Sequence, residues 1–140
     1  MNNIIVFTDG GSRGNPGPAA VGIYMEDHAG KEITSIGKKI GNATNNVAEY
    51  SAIIEALDWL CKNKHKLEEN TRIAFYLDSE LAYSQLSGLY RVKNTTIREL
   101  VFKVRQKEAE LNMQISYVHI PREKNKKADL LVNLALDNLL

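Results

Sequence analysis

Ile4-Ile5-Val6-Phe7, followed by Thr8-Asp9-Gly10-Gly11, is the stretch on which the fold turns. A short apolar, β-branched run that halts at an acid and two glycines reads as a buried strand with Asp9 at its end. Beyond it, the loop from Gly10 to Pro18 holds four of the nine glycines and two of the three prolines. A second strand is expected over 20–26, a turn at Asp27-His28-Ala29-Gly30, and a third strand over 32–40, forming an antiparallel meander. The period then changes. Tyr50, Ile53, Ile54, Leu57, Leu60 and Cys61 recur at helical spacing and define a one-sided stripe. Alternation of Ile73, Phe75 and Leu77 returns the chain to a strand over 72–77. A short helix over 79–86 should stop near Gly88. A longer helix over 96–111, a strand over 114–120 and a final helix after Asn125 complete the order βββ-α-β-α-α-β-α. Strand–helix–strand connections favour parallel pairing with right-handed crossovers. The expected fold class is therefore α/β, a five-stranded mixed sheet of three antiparallel strands and then parallel ones, with helices on both faces.

The 140 residues fit one domain, 1–140. They are 44% hydrophobic and 25% charged, with 18 basic and 17 acidic residues and a net charge of +1. That balance excludes a polycation whose affinity comes from bulk charge, but it can hide a basic face beside an acidic pocket. A single cysteine, Cys61, excludes an intrachain disulfide and a cysteine zinc cluster. No apolar run approaches the ~18 residues of a membrane span. The start Met1-Asn2-Asn3-Ile4 lacks the basic and apolar regions of a signal peptide. A cytoplasmic monomer is the expectation.

Four acids fall at element ends. Asp9 closes the first strand and Asp78 the fourth, so parallel neighbours would set the two carboxylates side by side. Glu49 and Asp129 fall in the opening turns of helices. Singly, each has an ordinary explanation. Asn46 with Glu49 fits a helix cap, acids in a first turn offset the helix dipole, Asp78 can cap the helix behind it, and Asp9 can open a turn. Together they are costly, because unit charges 4 Å apart repel by ~4 kcal/mol at an effective dielectric of 20. Two divalent cations balance four carboxylates, which is the stoichiometry of a two-metal phosphodiester site. Oxygen-only ligands favour Mg²⁺ or Mn²⁺ over zinc.

Four segments carry a resemblance. Phe7-Thr8-Asp9-Gly10-Gly11-Ser12-Arg13-Gly14-Asn15-Pro16-Gly17-Pro18, Thr44-Asn45-Asn46-Val47-Ala48-Glu49, Tyr76-Leu77-Asp78-Ser79 and the run from His119 to Asp129 resemble type I ribonuclease H. The likeness covers nearly the whole chain, in order. It implies the three-layer ribonuclease H-like fold and a metal-dependent endoribonuclease that cuts the RNA strand of RNA–DNA hybrids, leaving 5′-phosphate and 3′-hydroxyl ends. The implied cofactor is two Mg²⁺, with Mn²⁺ as a substitute. The family's acidic quartet falls on Asp9, Glu49, Asp78 and Asp129. Asp9 is then expected to bridge both metals, Glu49 and Asp78 to hold the metal at the leaving oxygen, and Asp129 the metal carrying the attacking water.

Substrate contacts are expected from Gly10, Gly11, Ser12, Arg13, Asn15, Thr44, Asn45 and Asn46. Bare backbone and amide groups there can approach a 2′-hydroxyl in the shallow minor groove of a hybrid. By the resemblance, Asn15 and Thr44 lie near a DNA phosphate and Asn45 near the groove. The basic helical protrusion of some family members is missing between Gln85 and Glu99. Arg91, Lys93 and Arg98 are its reduced substitute, with Tyr90 available to stack. His119 is assigned either proton transfer near the metals or the end of the fifth strand. Trp59, Cys61, Met25 and Met113 read as packing. Two alternatives stay open: a hybrid-binding module that no longer cleaves, and a nuclease of the same fold acting on a DNA junction.

Overall fold

The computed structural model describes residues 3–140; Met1 and Asn2, half of the tetrapeptide read above for a leader, lie outside them. Five strands, β1 (Asn3–Ser12), β2 (Gly17–Asp27), β3 (Glu32–Ala43), β4 (Arg72–Leu77) and β5 (Gln114–His119), form one sheet in the order β3-β2-β1-β4-β5. The β1–β2 and β2–β3 pairs are antiparallel, whereas β1–β4 and β4–β5 are parallel. Four helices cover it: α1 (Asn45–Lys62), α2 (Glu80–Leu86), α3 (Thr95–Leu111) and α4 (Lys126–Leu136).

The stripe of α1 places Tyr50, Ile53, Leu57 and Leu60 against Ile4, Val6, Ile73, Phe75 and Leu77 of the sheet, all buried. Each such side chain contributes ~1.5–3 kcal/mol. Val104 and Leu111 bring α3 onto the same cluster, while Val132 and Ala135 of α4 close on Ala20. Met25 lies within the core, and Trp59, Cys61 and Met113 pack against it. Among the described residues, no helix is long and apolar enough to cross a membrane.

Several local expectations need correction. β1 does not stop at Asp9, because Gly10, Gly11 and Ser12 pair with Val21, Ala20 and Ala19. The ladder overrides the weak strand preference of glycine. The connecting loop shrinks accordingly and is closed by Arg13 N donating to the Pro18 carbonyl at 2.8 Å. The Asn46–Glu49 cap is replaced by Thr44, whose Oγ1 accepts from Val47 N at 3.2 Å. The helix therefore starts at Asn45 and Glu49 lies past its first turn. Nor does Asp78 cap α2; Ser79 does, accepting from Ala82 N.

Candidate active site

The parallel β1–β4 pair ends at Thr8 opposite Leu77, so Asp9 and Asp78 follow at the same height. Two glycines then let the helices approach. A Cβ on Gly10 would fall 2.2 Å from the carbonyl of Ala48, so β1 and α1 touch backbone to backbone beside Glu49. On the other face Gly22, paired with Asp9 across the β1–β2 ladder, leaves no room for a Cβ, which would meet the Ala128 oxygen at 2.1 Å. That contact seats the first turn of α4, which carries Asp129. Side chains at either glycine would push the acid-bearing helices off the sheet.

Asp9, Glu49 and Asp78 each bring a carboxylate oxygen within 4.8 Å of the other two. Asp129 is exposed and stands outside that mutual set, yet it lines the same cleft of about 460 Å³ and acts on Asp9. Burial first, then the charge of Asp78, pushes the Asp9 carboxyl up to about 7. Glu49 is also pushed well above the usual carboxylate range, by burial and then by Asp9 and Asp78. A divalent cation would offset the mutual repulsion that helps raise both carboxyls. An all-oxygen donor set of this charge suits a hard divalent cation.

The Gly-rich strand end and the start of α1 form one network. Asn45 Oδ1 accepts from Ser12 N at 2.9 Å and from Ser12 Oγ at 3.2 Å, and Asn45 N donates to Asn15 Oδ1 at 2.9 Å. Gly10 N donates to Asp9 Oδ1 at 3.0 Å. The amides of Gly10, Ser12 and Arg13 are therefore engaged within the protein. Gly10, Gly11, Ser12, Arg13, Asn45 and Asn46 line the cleft; Asn15 and Thr44 support it from behind through the bonds just described. The Arg13 guanidinium pairs with Asp137 at 2.5 Å beyond the end of α4.

Arg91 and Lys93 are exposed on the segment joining α2 and α3, away from the cleft lining. Arg98 is tied back, with Nε donating to the Val92 carbonyl at 2.8 Å. His119 ends β5, exposed, its ring stacked on Tyr83 with centroids 5.8 Å apart, and it does not line the cleft. Sequence reasoning missed Arg122, which does line it, and Asn125, buried and bonded to Asp78. The run of basic residues after Pro121 was the signal that could have found Arg122. For Asn125 no local signal was available.

A five-stranded mixed sheet with carboxylates converging where its parallel strands end defines a ribonuclease H-like protein. A family model described as reverse transcriptase-like matches residues 7–135. The structure is similar to that of LC11-RNase H1, isolated from compost by a metagenomic approach, at 45% identity and a TM-score of 0.90 over 99% of this chain and 98% of that one. LC11-RNase H1 has also been solved in complex with RNA/DNA hybrid. RNase H1 from the halophilic archaeon Halobacterium salinarum matches at 36% identity and a TM-score of 0.88, over 98% of this chain and 99% of that chain. The bifunctional protein Rv2228c of Mycobacterium tuberculosis is 38% identical over 136 residues, 96% of this chain. This chain spans 35% of that relative's length. The chain belongs to the type I ribonuclease H family.

Proposed function

We propose that the chain hydrolyses the RNA strand of RNA–DNA hybrids, leaving 5′-phosphate and 3′-hydroxyl ends, with two Mg²⁺ ions or Mn²⁺ in their place. The observation that carries this is the meeting of Asp9, Glu49 and Asp78 within 4.8 Å at the open end of the sheet. Asp9, central on β1, would hold both ions, with Glu49 and Asp78 completing one site and Asp129 the other. When bound, the ions supply Lewis acidity for in-line displacement at a phosphodiester. The protein's own part is placement. Gly10 and Gly22 admit the two helices, and the Ser12–Asn45–Asn15 network holds the loop that meets the hybrid minor groove. His119 is given no proton-transfer step, since it stands outside the cleft lining. We read residues 1–140 as one catalytic domain acting as a cytoplasmic monomer. A single cysteine fits a reducing compartment.

The test is incubation with labelled RNA–DNA hybrid, double-stranded RNA, double-stranded DNA and a DNA junction, each with Mg²⁺ or chelator. Cleavage of hybrid alone, and only with Mg²⁺, supports the reading. Cutting of the junction but not the hybrid overturns it, and so does tight hybrid binding without cleavage.

A further inference from the structure

Asn125 breaks the local rule of its position. It is the residue before α4, where an asparagine ordinarily accepts a hydrogen bond from a backbone amide of the first turn. Here it makes no such side-chain bond. The side chain is fully buried and acts as a donor: Nδ2 gives one hydrogen bond to the Thr8 carbonyl at 2.8 Å and another to Asp78 Oδ2 at 2.9 Å. Its Oδ1, buried as well, has no partner. Forgoing the cap and burying an unpaired oxygen are both unfavourable. Local rules broken at a cost mark functional positions.

The placement explains the arrangement. β4 leaves the sheet after Leu77, so the β1–β4 ladder ends at Thr8 and Asp78 has no strand partner beyond it. Ser79 caps the helix that follows, so the backbone turns at this point. The amide of Asn125 reaches the last β1 residue paired with β4 and the carboxylate just past β4 together. Through its main chain the same residue opens α4, since Asp129 N donates to the Asn125 carbonyl at 3.1 Å. One residue thereby sets a strand acid and a helix acid relative to Thr8, the neighbour of Asp9.

We infer that Asn125 is a positioning residue for the divalent-cation site: its two side-chain hydrogen bonds lock the Asp78 carboxylate against β1, with one oxygen satisfied and the other left for the cation. The inference rests on the proposed metal-dependent nuclease reading. Groups that orient a metal ligand typically change affinity or activity by roughly 10–100-fold when replaced. Asn125→Asp keeps the shape and a capping acceptor but removes both donors. Asn125→Ser, a good helix cap, removes the reach to Asp78.

Mg²⁺ affinity is measured by calorimetry without nucleic acid, and kcat and KM on hybrid at limiting and saturating Mg²⁺, with circular dichroism to check the fold. Both variants should bind Mg²⁺ roughly tenfold or more weakly. They should lose kcat at limiting Mg²⁺, regain part of it at saturation, and keep KM for the hybrid. In the wild-type protein, which needs no substitution to fold, the Asn125 side-chain amide signals in nitrogen-15 spectra should exchange slowly with water and shift on Mg²⁺ addition. Variants that cap α4 and keep Mg²⁺ affinity within twofold would overturn the inference. So would amide signals that Mg²⁺ leaves unmoved while the wild type binds the ion. A wild type that binds no Mg²⁺ and cuts no hybrid overturns instead the nuclease reading, which separates the two failures.

Discussion

Gly10 and Ala48 lie in backbone contact: a Cβ on Gly10 would stand 2.2 Å from the Ala48 carbonyl, so the first strand and first helix close on each other one residue from Asp9 and one from Glu49. The convergence of these two acids depends on a missing side chain. Gly10→Ala should destabilise the protein by ~1–3 kcal/mol through overpacking, lowering Tm by roughly 4 °C or more. Gly11→Ala is the control, since its Cβ would meet only Val132 Cγ1 at 3.6 Å, an ordinary contact. Thermal melts of both variants decide this; equal losses would refute the close-approach account.

Acid crowding has a signed pH consequence. The Asp9 carboxyl sits at about 7 in the folded protein against 3.8 ordinarily, so the folded state binds its proton more tightly than the unfolded chain does. The stability this confers is fully present below about pH 4 and is lost as pH rises through about 7. Metal-free protein should therefore lose Tm between about pH 4 and about pH 7. Asp9→Asn should flatten that loss and raise Tm at pH 8, while abolishing cleavage. Mg²⁺ should restore Tm to the wild type alone. Melts in chelator and in Mg²⁺ check each step, and near-wild-type turnover by Asp9→Asn would sink the two-metal reading.

Substrate grip should be salt-sensitive, because Arg91 and Lys93 are exposed on the segment joining α2 and α3, free to meet phosphates. The double substitution Arg91→Ala with Lys93→Ala should weaken hybrid binding and flatten the salt slope by ~0.9 at most for each phosphate that the protein ceases to neutralise. Fluorescence anisotropy at several salt concentrations measures it. An unchanged slope would show that these side chains face away from the hybrid.

Discrimination against all-DNA duplex should exceed roughly a thousandfold, even in Mn²⁺, because two or three polar groups left unpaired, at ~1–3 kcal/mol each, produce it. Asn45→Ala removes the acceptor shared by Ser12 N and Oγ, loosening the loop that we propose meets the ribose. It should lower hybrid cleavage about tenfold or more while Mg²⁺ affinity stays within about twofold. All-DNA duplex cut within tenfold of hybrid would refute ribose reading.

His119 and Arg122 should behave differently. His119, stacked on Tyr83 outside the lining, should tolerate alanine with kcat within about threefold. Arg122 lines the acidic cleft, where a guanidinium can meet a phosphate, and alanine there should raise KM for the hybrid. Steady-state kinetics separate the two; a larger loss for His119→Ala would reverse the assignment.

Element order, the parallel pairing of the fourth strand and the choice of Asp9 and Asp78 as candidate acids were legible in the sequence, because periodicity and turn chemistry are local properties. Thus the alternation of Ile73, Phe75 and Leu77 set β4 to the residue, and the stripe from Tyr50 to Cys61 set the buried face of α1. What local pattern could not decide was set by partners distant along the chain. Gly10 to Ser12 look like a loop, yet they are strand because β2 supplies their ladder. Gly10 reads as part of a loop and Gly22 as a strand residue, and only packing shows them to be contact points for helix backbones. Asn125 reads only as the residue before the last helix, but its amide is spent on Thr8 and Asp78, residues 117 and 47 positions away. Hydrophobic period fixes which face of an element is buried, whereas the meeting of three carboxylates depends on backbone separations that only tertiary packing determines.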